Sequence, residues 1–377
     1  TDMPPLTLPL GENSPQISTM TTAPIGPLVA GRALIAATQY RQLSVMASLR
    51  QGDVKSMYNV TRSMALDRDE SWLATVGTSK RLKIFSLSSI LHDDLAFVHY
   101  PRIEFTCRAK LSSVAWNPYV SGQLAVANYD GVVQLYDANT GQELTMLEEH
   151  TERAWTVDFC PSDPTLMVSG SDDRSVKWWN IRSEDAVATV NLPAPVSSVR
   201  FFPTSRHLVV AGCADASAYL LDLRKTDEPL ERLVGHRRAL SYVTFVGPSD
   251  RLATASIDAS LMLWDLGATR RRIRAGTVSS NAPTTTVLRP SPKNATSCSS
   301  RRIGVYRGHQ NAMNFVGLAT TTSGYLLTGS EDNRVYAYHT LFPEPILSCP
   351  LDQVGRHPYG YGPPGTASSE VSRVEPQ

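Results

Sequence analysis

Residues 148–180, EEHTERAWTVDFCPSDPTLMVSGSDDRSVKWWN, constrain this chain more than any other stretch. Three short segments in it, AWTVDF, LMVSGS and SVKWWN, alternate at period two and are separated by turn residues, as β-strands do. The same order of residues returns downstream. His150 opens the unit, Asp172-Asp173 turn it and Trp179-Asn180 close it; His236, Asp258 and Trp264-Asp265 repeat that order, as do His309, Asp332 and Tyr338-His339. From turn Asp to closing aromatic is six residues in all three units (173 to 179, 258 to 264, 332 to 338). The same interval finds Asp130 with Tyr136, Asp215 with Leu221 and Ser79 with Phe85. The closing positions 85, 136, 179, 221, 264 and 338 are thus separated by 51, 43, 42, 43 and 74 residues, and the last gap exceeds the usual 43 by 31.

A unit of about 40 residues with His near its start and Trp-Asp near its end is the signature of a WD-repeat β-propeller blade. The expected fold is all-β, with six recognisable blades and a seventh incomplete or missing. The His, a hydroxyl on the second strand, the turn Asp and the closing Trp are expected to form a hydrogen-bonded chain within a blade. The candidates are His150, Ser169, Asp173 and Trp179, then His236, Thr254, Asp258 and Trp264. A His, Ser and Asp together also suit hydrolase chemistry. Recurrence blade by blade favours the structural role, because a nucleophile need not be duplicated, and no catalytic residue is assigned.

Composition narrows the function. At 377 residues the chain can bury a large core, most of it in a single propeller. A formal net charge of +1 argues against a general nucleic-acid binder. Cys107, Cys160, Cys213, Cys298 and Cys349 show no CxxC pair and no metal-ligand spacing, which reads as reduced and intracellular; no metal or cofactor is expected. No apolar run approaches the ~18 residues a membrane helix needs, and no signal-peptide pattern appears. A chain starting at Thr1 is expected to be a fragment with domains upstream.

Residues 1–37, rich in Pro, Thr and Ser, are expected to be a disordered linker, 38–352 the propeller and the Gly/Pro/Ser-rich 353–377 a disordered tail. YRQLSVMASLR, 40–50, is expected to be a lone strand that completes the last blade and removes an open edge. The blades span about 55–88, 108–140, 148–180, 194–224 and 236–266, and the sixth runs from about 307 to 351. The basic, Ser/Thr-rich segment 268–303 interrupts the pattern and is expected to be a flexible loop. Its Arg270, Arg271, Arg272 and Arg274 are either solvated or a nuclear-import signal.

Propellers bind partners where the loops entering each first strand meet the turns before each third strand. Counting twenty residues back from each turn residue gives Asn59, Lys110, Arg153, Pro195, Arg238 and Ala312, of which three are basic. Aromatics lie beside them: Trp155, Phe315 and Tyr129. A rim of cations around aromatic rings suits a short peptide with acidic and apolar parts. The alternative is that Trp155 and Phe315 are core residues and the cations are solvated.

EEHTERAWTVDF, VSGSDDRSVKWWN, ALSYVTF, NAMNFVGL and TGSEDNRVYAYH closely resemble the C-terminal propeller of the constitutively photomorphogenic and suppressor-of-phytochrome-A proteins of plants and algae. The resemblance covers roughly 38–348, apart from 268–303; VHYPRIE, NTGQE and VYAYHTLFPEPI lean towards the suppressor-of-phytochrome-A branch. It implies a non-catalytic substrate-receptor module of a RING-type ubiquitin-ligase complex that represses light responses. Such a module sits in the nucleus with a cytoplasmic pool and works beside sister ligase subunits, without direct nucleic-acid or membrane contact. It captures acidic Val-Pro peptides of transcription factors and photoreceptors. The family's peptide-binding positions fall on Lys110, Tyr129, Arg153, Trp155, Arg238 and Phe315; Arg238 stands where relatives have Lys, and Ala312 where they have an acid. Trp179-Asn180-Ile181-Arg182 and Leu221-Asp222-Leu223-Arg224 resemble a Trp-Asp-x-Arg box, implying that Arg182 and Arg224 touch a cullin-ligase adaptor. RING ligands, coiled-coil heptads and kinase motifs are absent from this sequence, and the alternative reading is a generic WD-repeat scaffold for another assembly.

Overall fold

A computed structural model describes Tyr40, Gln42, Leu43, Val45, Ala47 and Leu49 singly, and residues 60–92, 99–274 and 300–351 continuously. Its strands all lie in the compact unit Arg41–Gln377. Among the described residues they form six antiparallel four-stranded sheets, each in simple up-and-down order. Blade one holds β1 (Thr61–Leu66), β2 (Trp72–Gly77), β3 (Arg81–Ser86) and β4 (Ile103–Thr106), with a short helix α1 (Leu87–His92) after β3. Blade two holds β5 (Leu111–Trp116), β6 (Gln123–Asn128), β7 (Val133–Asp137) and β8 (Gln142–Leu147). Blade three holds β9 (Ala154–Phe159), β10 (Leu166–Ser171), β11 (Ser175–Asn180) and β12 (Ala186–Asn191). Blade four holds β13 (Val196–Phe201), β14 (Leu208–Cys213), β15 (Ser217–Asp222) and β16 (Glu231–Val234). Blade five holds β17 (Leu240–Phe245), β18 (Arg251–Ser256), β19 (Ser260–Asp265) and, after helix α2 (Gly267–Arg274), β20 (Arg301–Tyr306). Blade six holds β21 (Leu318–Thr320), β22 (Tyr325–Gly329), β23 (Arg334–His339) and β24 (Phe342–Pro350).

The constant interval of six has a local cause. In every blade the residue after the turn residue takes a left-handed backbone: Lys80, Gly131, Arg174, Ala216, Ala259 and Asn333, with φ between 57° and 85°. Outside glycine that conformation costs about 1–2 kcal/mol. The turn carboxylates help to hold it. Asp173, Asp215 and Asp258 each accept the backbone N–H two residues on, from Ser175 at 2.8 Å, Ser217 at 3.1 Å and Ser260 at 3.0 Å.

The expected chains form in blades three and five. Trp179 Nε1–H donates to Ser169 Oγ at 2.7 Å, Ser169 meets His150 Nε2 at 2.7 Å, and His150 Nδ1 meets Asp173 at 2.8 Å. Trp264, Thr254, His236 and Asp258 repeat it at 3.0, 2.8 and 3.2 Å. Blade six breaks it. Tyr338 takes the Trp position, its hydroxyl meets His309 Nδ1 at 3.0 Å, and His309 Nε2 finds no partner among the described residues.

Burial alone would raise the Asp173 and Asp258 carboxyls. Hydrogen bonds from His150 and Ser175, and from His236, Ser260 and the Arg237 N–H, outweigh it and hold both well below the ordinary range. Burial lowers His309 against the fields of Asp258 and Asp332. A group whose folded pKa is depressed contributes stability above its unfolded value and loses it as pH falls through the folded one. The denaturant midpoint will therefore fall below pH ~6.5, where unfolded His protonates, and further below ~4, where unfolded Asp does. Unfolding curves at pH 7, 5 and 3 with one constant midpoint would contradict this.

Consecutive blades enclose apolar cores. One lies between blades one and two (Val76, Ile84, Leu111, Val126), and others between two and three, three and four, four and five, and five and six. No such cluster joins blades six and one among the described residues, and β1 leaves Met64 62% and Leu66 46% exposed. Inner strands of neighbouring blades are tied by hydroxyls instead of a ladder. Val114, Val199 and Val243 donate their N–H to Ser63, Thr156 and Ser198, at 3.3, 3.3 and 3.2 Å. These donors follow the bulges that open β5, β13 and β17, where the register shifts by one.

Three expectations change. Blades one to five each carry a fourth, outer strand beyond the span read from the sequence, missed because the apolar residues of segments such as Ala186–Asn191 fall on both faces, with Val187 55% exposed. Blade six draws all four strands from 318–350, and the described residues of 40–50 carry no strand where one was expected. The segment 268–303 is not loop throughout: it begins in α2 and ends in β20. Both ends are stapled by Glu231, which accepts Ser300 N–H and Oγ–H at 2.8 Å each and the Thr269 hydroxyl. Arg270 pairs with Asp250 and lies 5.4 Å over the Phe202 ring, so it is not simply solvated. Residues 1–37, 275–299 and 353–377, expected to be linker, loop and tail, lie outside the described residues.

Candidate functional site

One hydrogen bond marks the same place in all six blades. The residue before the turn residue donates its N–H to the carbonyl of the residue entering the first strand. The pairs are Thr78 to Val60, Tyr129 to Lys110, Asp172 to Arg153, Ala214 to Pro195, Ile257 to Ala239 and Glu331 to Gln310, at 2.9–3.2 Å. Lys110, Arg153 and Pro195 stand where the count puts them. Arg238 does not: it lies one residue earlier. Ser256 Oγ donates to its carbonyl at 2.9 Å, as Ser171 Oγ does to Glu152 at 3.1 Å. The cause is loop length. Phe245 pairs with Leu252 across seven residues, whereas Phe159 pairs with Met167 across eight. Blade one is shortened likewise, which moves the entry from Asn59, outside the described residues, to Val60. In blade six a longer entry, 310–317, places Gln310 rather than Ala312 at the equivalent point.

The six candidates nevertheless gather at one end of the blades. Trp155, on β9, is half-buried at the centre of an aromatic row. Its ring lies edge-on to Tyr129 at 5.4 Å and to Phe315 at 6.4 Å, so residues of blades two, three and six meet there. The Arg153 guanidinium sits 5.3 Å over Trp155 and 5.8 Å over Tyr129. Lys110 is exposed beside Tyr129 through the entry hydrogen bond. Arg238 Nη1–H donates to Ala312 O at 3.0 Å, joining blade five to the loop that carries Phe315. Phe315 is 41% exposed, and Met313, two residues before it, 85%. The reading of Trp155 as plain core does not describe this geometry: its faces meet aromatic and cationic neighbours and no core cluster includes it.

Two further residues organise the row and were not singled out from the sequence. Asp172 accepts Trp155 Nε1–H at 2.6 Å and pairs with Arg153 Nε at 3.1 Å, so one carboxylate orients both. Glu331 accepts the N–H groups of Ala312, Met313 and Asn314 at 3.0, 2.8 and 2.7 Å. Those bonds, led by Asn314, Met313 and Ala312, hold its carboxyl below the ordinary value. Both occupy the position just before the turn residue, as Tyr129 does, and that shared register is the signal that could have found them.

Arg182 and Arg224 lie at the other end of their blades, past the third strands, and do not join this cluster. Asp222 caps Arg224 with a bidentate pair at 3.0 and 2.7 Å, while Arg182 is exposed, with Asn180 accepting its backbone N–H at 3.0 Å.

Residues 141–180 and 227–265 match the WD domain, G-beta repeat. The WD repeat-containing protein RUP1 of Arabidopsis thaliana is 32% identical over 291 residues, covering 75% of this chain and 68% of RUP1. The chain belongs to this WD-repeat family. As a WD-repeat propeller it is also 40% identical over 310 residues to the Arabidopsis protein SUPPRESSOR OF PHYA-105 1, and 37% over 311 to the E3 ubiquitin-protein ligase COP1 of the same plant. Each alignment covers 82% of the chain, which spans 28% of the first relative's length and 41% of the second's.

Proposed function

We propose that this propeller is the substrate-recognition module of a nuclear ubiquitin-ligase complex that represses light signalling, with a cytoplasmic pool. It captures acidic Val-Pro peptides of transcription factors and photoreceptors and does no chemistry itself. The observation that carries this reading is the Tyr129–Trp155–Phe315 row, assembled from three blades and flanked by Arg153 and Arg238. An apolar Val-Pro pair rests on the rings, and the acidic flanks meet Lys110, Arg153 and Arg238. Similarity to COP1 and SUPPRESSOR OF PHYA-105 1 supports sister ligase subunits as partners. Exposed Arg182 is the better of the two candidates for an adaptor contact, since Arg224 is already neutralised by Asp222. The alternative, a scaffold of another assembly, shares the fold without the peptide.

Short motifs of this kind bind near micromolar, about −8 kcal/mol. A labelled acidic Val-Pro peptide will bind the wild-type chain, and an Ala-Ala twin will not. Arg153→Glu will weaken it at least tenfold, and affinity will fall as salt rises from 50 to 300 mM, conditions that shorten the screening length. Equal titration curves for both peptides, or no response to salt, would return the protein to the scaffold reading.

A further inference from the structure

A cleft of about 860 Å³, apart from the aromatic row, opens between the outer strands of blades five and six. One wall is β20, the other the start of β24. Arg302, Val305 and Arg307 line it from the first side, Arg237 from above β17, and Glu344 and Pro345 from the second. Three cations thus face one carboxylate.

The backbone explains why these side chains share a wall. Along a regular strand Arg302 and Val305, three residues apart, would point to opposite faces. The register shifts here: Gly304 opposes Leu263, while Arg302 opposes the next residue, Trp264. That bulge turns Arg302 onto the face of Val305 and Arg307. Two glycines keep the floor open. A Cβ at Gly235 would lie 3.0 Å from Met262 and Trp264; Gly308, at φ +129°, holds a backbone that other residues rarely adopt, with Pro345 3.3 Å from where its Cβ would be.

The arginines are uncommitted. Arg81, Arg153, Arg200, Arg224, Arg232 and Arg270 each pair with a carboxylate, but among the described residues Arg237, Arg302 and Arg307 do not. Guanidinium groups bind phosphoryl oxygens through paired N–H donors, and a phosphorylated side chain brings a charge of about −1.5 to −2. The rest of the lining selects the kind of molecule. Val305 and Pro345 supply apolar wall, and Glu344 repels a second anion, so a small polyphosphate fits poorly. A peptide carrying one phosphate, an apolar neighbour and a basic residue matches all three features.

We propose that this cleft binds a phosphorylated serine or threonine of a peptide that carries a basic residue beside it. The site lies on blades five and six and does not depend on the aromatic row.

The test is fluorescence anisotropy with the full chain. The probe is a labelled peptide with one phosphoserine, a leucine before it and an arginine two residues after it; its unphosphorylated twin and inositol hexakisphosphate are the comparisons. The phosphopeptide will bind at least tenfold more tightly than the twin. Arg302→Glu and Arg307→Glu will each cost at least tenfold with unchanged melting curves, as expected for exposed side chains, and Arg302→Gln will lie between. Trp155→Ala will leave this affinity unchanged, which separates the cleft from the Val-Pro reading. Equal binding of the twin, or full binding by Arg302→Glu and Arg307→Glu, would overturn the proposal. Binding of inositol hexakisphosphate without the phosphopeptide would assign the cleft to a small polyphosphate and overturn it equally.

Discussion

Trp179→Ala will destabilise the protein by about 3–5 kcal/mol, the range for truncating a fully buried aromatic. Trp179 is fully buried between blades two and three, against Val157, Met167 and Leu135. Two losses combine. The cavity removes dispersion contacts that a stiff sheet cannot recover by collapsing, and Ser169 loses the donor that fixes its hydroxyl towards His150. Trp178, its neighbour, makes the comparison sharp. It is equally buried, in the core between blades three and four, but its Nε1 has no partner among the described residues. Trp178→Phe removes an unsatisfied donor, while Trp179→Phe removes a used one. Guanidinium unfolding should therefore rank Trp178→Phe above Trp179→Phe in stability. The reverse order would mean that the His-Ser-Trp chain contributes nothing to the blade.

Trp155→Ala will cost the Val-Pro peptide at least about 2 kcal/mol, roughly thirtyfold in Kd. The ring is central to the row, so its removal separates Tyr129 from Phe315 and leaves Arg153 without the larger face beneath it. Stability should change much less, because Trp155 is half-buried and outside the inter-blade cores. Asp172→Ala is the informative partner. It keeps every ring and cation but releases Trp155 Nε1 and Arg153 together. A loss smaller than that of Trp155→Ala is expected, about 1 kcal/mol for orientation alone. Titration calorimetry reads both variants, and unchanged affinity for Trp155→Ala would remove the aromatic row from the binding reaction.

Blade identity was legible because its cause is local. An Asp that accepts the N–H two residues on, followed by a left-handed residue, sets a turn whose length hardly varies, so 173 to 179 and 258 to 264 match. The His-Ser-Asp-Trp chain follows from the same register. Counting across a loop was less secure. The β17–β18 connection is one residue shorter than β9–β10, and Arg238 slipped by one place while Arg153 did not. The outer strands were missed because they bury few side chains, and α2 because its arginines resemble a solvated tail until Asp250 and Phe202 are beside them.

The repeat in the sequence determined the blades, their turns and the buried polar chains of blades three and five, since these depend on residues within about 30 positions of one another. Only the tertiary structure decided which side chains from different blades meet. Phe315 reaches Trp155 across 160 intervening positions less one, 315 to 155, because a longer entry loop, pinned by Glu331, carries it there. The Arg237–Arg302–Arg307 cleft likewise depends on a bulge and on the packing of two blades. Pairing within a hairpin is set by chain spacing; contacts between blades are set by how the sheets stack, and no spacing in the sequence encodes that.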